Sequence, residues 1–143
     1  MVYVVDASVV LKWFLPEPNS AAAGVLLEKF LNSEVELIAP DHLLLEIASA
    51  LWKRVILRGE VTSHEATLVY RDFLTLPLSL SATEALADSA FQLALKHSHP
   101  VYDLLCCALA IERGCDFVTA DQTLANKFRG VLPFIRHIST ITP

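Results

Sequence analysis

"VYVVDASVVLKWFL", residues 2–15, is the stretch whose reading decides the fold. "VYVV" (2–5) is β-branched and aromatic and carries no charge, so it reads as a strand buried on both faces. "ASVVLKWFL" (7–15) can be helical, and Pro16 ends it. A strand with no polar face needs cover above and below, and the rest of the chain offers it.

The same alternation runs to the C-terminus. "SAAAGVLLEKFL" (20–31) has helical composition weakened by Gly24, and "ELIAP" (36–40) is a short strand closed by Pro40. "DHLLLEIASALWKRVILRG" (41–59) predicts a long helix, capped by Asp41 and stopped by Gly59. "SHEATLVYRDFLTL" (63–76) predicts a helix, "PLSLS" (77–81) a strand and "ATEALADSAFQLALKHS" (82–98) an amphipathic helix. After Pro100, "VYDLLCCALA" (101–110) opens another helix. "CDFVTA" (115–120) is a strand, "DQTLANKFRG" (121–130) a helix with Asp121 at its cap, and "IRHIS" (135–139) a last strand. Strands alternating with helices across short connections imply an α/β fold with a parallel sheet and helices on both faces. The 143 residues suit one domain, 1–143. A chain this long buries about two-thirds of its unfolded surface and needs no disulfide or structural metal to fold.

Composition narrows the function. The chain is 54% hydrophobic with a net charge of −5, which argues against non-specific coating of nucleic acid. A local basic rim from Lys12, Lys53, Arg54, Arg58, Arg113, Lys127 and Arg129 stays open. Three cysteines, two of them adjacent and none in a Cys-x-x-Cys pair, read as reduced core residues of a cytoplasmic protein. Asp6 interrupts the first apolar run after five residues, so no signal peptide is expected. The longest apolar run, Leu104–Ile111, is far short of the roughly 20 residues a bilayer requires. The five histidines (42, 64, 97, 99, 137) lack zinc spacing, and His97 and His99 read as solvent-exposed. Trp13 and Phe14 read as core, or else as an interface patch. "GVLLEKFL" and "LWKRVIL" carry more apolar surface than a small monomer must bury.

Four acids stand out. Asp6 and Asp121 follow predicted strands, at the edge of a parallel sheet where sites form. Glu46 lies within "LLLEIASAL" and Asp103 within "VYDLLCCALA", with no Lys or Arg on the same helix face. A buried carboxylate must be paired, protonated or bound to a metal. Singly, Asp6 and Asp121 read as helix caps, Glu46 as a partly exposed helix residue and Asp103 as a first-turn acid. Together they repel: two unit charges about 4 Å apart cost about 4 kcal/mol at an effective dielectric of 20, against a typical stability of roughly 5–15 kcal/mol. A divalent cation reverses that sign. Oxygen-only ligands select hard cations, so Mg²⁺ or Mn²⁺ is the expected cofactor. Ser8 and Thr119, two residues from Asp6 and Asp121, can hydrogen-bond these carboxylates or act as ordinary capping and strand-end hydroxyls.

"VVDASVVLKWF", "PDHLLLEIASAL", "VYDLLCCALA" and "FVTADQTL" resemble, in order and spacing, the PIN-domain family, and most closely its VapC-type ribonuclease toxins of toxin–antitoxin pairs. The resemblance covers essentially the whole chain. It implies a three-layer α/β/α sandwich and an acidic pocket binding Mg²⁺ or Mn²⁺. It also implies endonuclease activity on RNA, homodimerisation and inhibition by a cognate antitoxin protein. The family's four acids map to Asp6, Glu46, Asp103 and Asp121, and its hydroxyl positions to Ser8 and Thr119. Asp6, Asp103 and Asp121 are then the primary ligands, and Glu46 holds a second ion or orients water. Rival readings fit less well. A haloacid-dehalogenase-type phosphatase needs an Asp where "DAS" has Ser8, and a phosphorelay receiver needs an acidic pair that "VVDAS" lacks. A non-toxin PIN nuclease in RNA processing and a non-catalytic PIN binding module remain alternatives. The second would be favoured by a missing acid, and none is missing.

Overall fold

The computed structural model describes residues 1–143. Its centre is a sheet of five parallel strands: β1 (Val2–Val5), β2 (Glu36–Pro40), β3 (Ser79–Ser81), β4 (Asp116–Thr119) and β5 (Ile135–His137). Their order is β3-β2-β1-β4-β5, with Val5 beside Val118 and Val4 beside both Ile38 and Phe117. From β1 the chain builds outward to β2 and β3, then crosses to β4 on the other side. The order therefore reverses between β1 and β4, and a crevice opens at their carboxyl ends.

The helices are α1 (Ala7–Val10), α2 (Ser20–Leu31), α3 (Leu43–Trp52), α4 (Ser63–Leu74), α5 (Thr83–His97), α6 (Val101–Arg113) and α7 (Gln122–Lys127). Alternate strand residues sort them into two layers. Tyr3, Val5, Leu37, Ala39 and Val118 face Val9, Leu26, Phe30, Ile47 and Phe73 of α1–α4. Val4, Ile38 and Phe117 face Leu86, Leu104, Cys107, Leu109, Leu124 and Phe128 on the α5–α7 side. Both faces are covered, so the architecture is the three-layer α/β/α sandwich that the charge-free "VYVV" demands. No helix is long and apolar enough to cross a membrane.

Several local expectations change. The helix expected over 7–15 is α1 plus a 3-10 turn at Leu11–Trp13. The Trp13 indole donates to the Ala23 carbonyl at 2.9 Å, which seats it against α2. The helix expected over 41–59 runs as α3 and then widens into π geometry at Lys53–Leu57. Gly59, at φ 62°, supplies the left-handed residue that ends it. Asp41 does not cap this helix. Its carboxylate instead accepts from the Thr83 amide at 3.0 Å, capping α5. Thr62, one residue before the expected start, caps α4. All three cysteines are free, Cys106 and Cys107 buried and Cys115, contrary to its reading as core, only partly buried.

Candidate active site

Asp6 leaves β1 in extended backbone geometry and caps α1, accepting from the Val9 amide at 3.3 Å. Asp121 lies two residues past the end of β4 and caps α7, accepting from the Leu124 amide at 3.0 Å. Capping and convergence are both true of these residues, because a carboxylate has acceptor capacity beyond one cap bond.

A closed hydroxyl network joins the two strand ends. Ser8 Oγ donates to Asp6 Oδ1 at 2.5 Å and accepts from the Ala120 amide at 2.8 Å. Thr119 Oγ1 donates to Asp6 Oδ2 at 2.6 Å and accepts from the Asp121 amide at 3.1 Å. Thr119 is the one fully buried polar residue of the protein. Each hydroxyl thus has a backbone donor behind it, which aims its own proton at Asp6. Asp6 is held in one orientation from both sides.

Glu46 and Asp103 reach the same place from opposite layers, on the first turns of α3 and α6. Asp6, Ala7, Ser8, His42, Glu46, Tyr102, Asp103, Cys106 and Asp121 line one pocket of about 180 Å³. Larger surface depressions exist elsewhere, but none gathers more than two acids. No three His, Cys, Asp or Glu side chains close into a ready-made cation cage. The acids ring the pocket rather than touching.

The electrostatics are those of a site short of positive charge. The Asp6 carboxyl is pushed up from 3.8 to about 6, chiefly by burial. Hydrogen bonds from Ser8 and Thr119 oppose the rise, and the charge on Glu46 adds to it. Glu46 Oε1 lies 3.0 Å from His42 Nε2 but out of line for a hydrogen bond, so it is buried without a partner.

Sequence reasoning missed several residues at or beside the site. His99, read as solvent-exposed, is only 12% exposed and sits 2.8 Å from Asp103 Oδ2. His97 is likewise drawn in, edge-on to Phe128. His42 stands beside Glu46 in the matching relation. The signal was present in the sequence: each helical acid has a histidine four residues before it, His42 at the cap of α3 and His99 just ahead of Pro100 at the start of α6. Cys106, read only as a reduced core residue, also lines the pocket, three residues after Asp103. Burial and the surrounding acids raise its thiol well above the ordinary value, so it presents a neutral wall rather than a thiolate. Cys107 lies in the core with its thiol pushed up to about 12. Cys107→Ala is expected to cost about 1 kcal/mol of stability and to leave catalysis within about twofold; loss of cation binding in that variant, measured by calorimetry, would contradict this placement.

The basic rim does not form as a set. Lys12 and Arg54 are tied to Glu17, Arg54 and Arg58 to Glu60, and Arg113 to Glu36. Arg129 bonds Asn126. Lys127 alone of the group reaches the site, through His99.

The PIN domain sequence profile matches residues 3–128. Ribonuclease VapC3 of Pyrobaculum aerophilum is 37% identical over 131 residues, 90% of this chain and 95% of that one. Ribonuclease VapC12 of Mycobacterium tuberculosis is 30% identical over 123 residues, 86% and 89% of the two chains. Among solved structures, PAE2754 from P. aerophilum matches with a TM-score of 0.65 and 23% identity, covering 98% of this chain and 85% of that one. A chain of VapBC2 from Rickettsia felis, crystallised with a DNA fragment from its promoter, matches at 0.64 and 14%, covering 96% and 98%. At those identities the structures speak to the fold.

Proposed function

The chain belongs to the PIN-domain family, and from that premise we propose that it is a Mg²⁺- or Mn²⁺-dependent endoribonuclease, the toxin of a toxin–antitoxin pair. The observation that carries this reading is the convergence of Asp6, Glu46, Asp103 and Asp121 on one pocket at the β1/β4 crevice. Curated relatives named VapC ribonucleases over most of the chain support it.

The residues fit a hard divalent cation. The carboxylates offer oxygen, the one nearby sulfur is protonated, and Glu46 has an oxygen without a partner. Mg²⁺ keeps several waters and needs only a few carboxylates, so an open ring of acids suits it better than a closed cage. Asp6, Asp103 and Asp121 would hold the ion, and Glu46 would take a second or orient the attacking water. When bound, the cation lowers the pKa of a water and offsets charge growing on the phosphate. The chain does the rest. Ser8 and Thr119 fix both oxygens of Asp6. Glu46, with its unpartnered Oε1, would accept a proton from water. Cys106 and Ala7 give the pocket part of its uncharged wall.

The partner proposal rests on an apolar groove between α3 and α4. Leu51, Trp52, Val55, Ile56, Tyr70 and Leu74 line a depression of about 450 Å³. Trp52, Ile56 and Leu74 are more than half exposed. "LWKRVIL" therefore does leave surplus apolar surface, whereas Leu26 and Phe30 of "GVLLEKFL" go into the core. An amphipathic antitoxin helix fits such a groove. Ile56→Asp is expected to weaken antitoxin binding by at least about tenfold, since a charge resists burial there, with RNA cleavage unchanged. We also propose a cytoplasmic homodimer.

The direct test is purified protein incubated with RNA and with DNA, under Mg²⁺, Mn²⁺ or chelator. Cleavage of RNA only when the cation is present is expected. Cleavage that persists in chelator, or none of any RNA, overturns the reading.

A further inference from the structure

His99 is held more firmly than a surface histidine needs to be. Ser98 before it takes the left-handed conformation, φ 50° and ψ 50°, uncommon for a residue with a side chain. Pro100 follows it, which restricts the His99 backbone to extended geometry. Its own amide donates to the Ala94 carbonyl at 3.2 Å. Its ring stands edge-on to Phe128, centroids 5.3 Å apart, and Phe128 is buried.

Lys127 completes the arrangement. Its Nζ donates to the Ser98 carbonyl at 3.1 Å and lies 2.8 Å from His99 Nδ1. An ammonium has donors only, so Nδ1 must be the acceptor. The ring proton then sits on Nε2, 2.8 Å from Asp103 Oδ2. Lys127 is also the last residue of α7, the six-residue helix that Asp121 caps at its other end. One short rigid element therefore carries an acid of the pocket at its start and the anchor of a second acid at its finish.

We propose that Lys127 and His99 form a positioning relay: Lys127 selects the Nε2-protonated form of His99, and His99 donates to Asp103 Oδ2, leaving Oδ1 aimed into the pocket. The relay rests on the cation reading of the pocket for its purpose but not for its geometry. Outer partners of this kind are worth about 10- to 100-fold in metal affinity. Neither residue was among those assigned to the site from sequence.

The test uses the full chain without RNA, so it is independent of whether RNA is the substrate. Long-range ¹H–¹⁵N spectra at about pH 8, above the ordinary imidazole range, report which ring nitrogen of His99 carries the proton, with His99→Gln identifying the signal. The expected result is the Nε2-protonated pattern in the wild type and a shift toward a tautomer mixture in Lys127→Met. Mn²⁺ titration by calorimetry is the second arm. His99→Phe keeps the packing on Phe128 and is expected to raise the Mn²⁺ dissociation constant at least about tenfold. His99→Gln, whose amide nitrogen can replace Nε2, is expected to stay within about threefold of wild type. An Nδ1-protonated ring in the wild type overturns the relay. So does a His99→Phe variant that binds Mn²⁺ like wild type, or a His99→Gln variant as impaired as His99→Phe. If the wild type binds no Mn²⁺, the cation reading fails on its own and the spectra alone decide the relay.

Discussion

Asp103→Asn is expected to lower RNA cleavage by at least about a thousandfold, or about 4 kcal/mol of transition-state stabilisation, with the fold intact. The acid stands on the first turn of α6 with its side chain 44% exposed, so an amide of equal size costs the structure little. The amide accepts the His99 hydrogen bond but carries no charge, so it removes what a cation would hold while sparing the packing. Steady-state cleavage of a fixed RNA, with thermal unfolding of the same preparation, separates the two effects. Retention of activity within tenfold of wild type would remove Asp103 from the site. Loss of activity with loss of the thermal transition would leave the role of the carboxylate unsupported.

The second large effect has the opposite sign for stability. Asp6→Asn is expected to inactivate the protein and also to stabilise it. Asp6 titrates at about 6 in the folded protein against 3.8 ordinarily. Between those values the native state keeps a proton that the unfolded chain has released. Stability therefore falls as pH rises through that window and levels off above about pH 6. This reverses the usual behaviour of a native aspartate, whose pKa is depressed. Two pH units correspond to about 3 kcal/mol at most. The amide escapes the desolvation penalty but returns some of the gain, because Ser8 and Thr119 now share one acceptor instead of two. A net gain of about 1–2 kcal/mol near neutral pH follows, seen as a rise in Tm of about 3–6 °C. The gain should fade below about pH 4. Adding Mn²⁺ should narrow the gap, since a ligand bound by the native wild type raises its stability by mass action. A variant less stable than wild type at every pH would show that the hydroxyl network, rather than the charge, governs Asp6. The pattern expected is a site whose demands oppose stability.

Much of this was legible in the chain itself. "VYVV" without a polar residue demanded cover on both faces, and the α1–α4 and α5–α7 layers supply it. Asp6 and Asp121 were legible as strand-end acids because a parallel sheet places such residues at one edge. Strand order was not legible from pattern. Ser8 meets Ala120, and Thr119 meets Asp6, only because β4 lies beside β1, a long-range pairing that no local signal encodes. Asp41 shows the same limit. Its neighbour in sequence is α3, but its neighbour in space is Thr83, so a local capping rule assigned it to the wrong helix. His99 failed for another reason. Loop signals on either side suggested exposure, yet those same residues, Ser98 and Pro100, are what turn its ring inward onto Phe128 and Asp103. The basic rim stayed open in the sequence because ion-pair partners such as Glu17 for Arg54 and Glu36 for Arg113 lie far away along the chain.

The most direct measurement is the location of Mn²⁺ by anomalous scattering in crystals of the wild type and of Asp103→Asn. The account predicts a peak inside the pocket bounded by Asp6, Asp103 and Asp121, lost or strongly reduced in the variant. A saturating soak that leaves this pocket without a peak, in a preparation that still cleaves RNA, would contradict it.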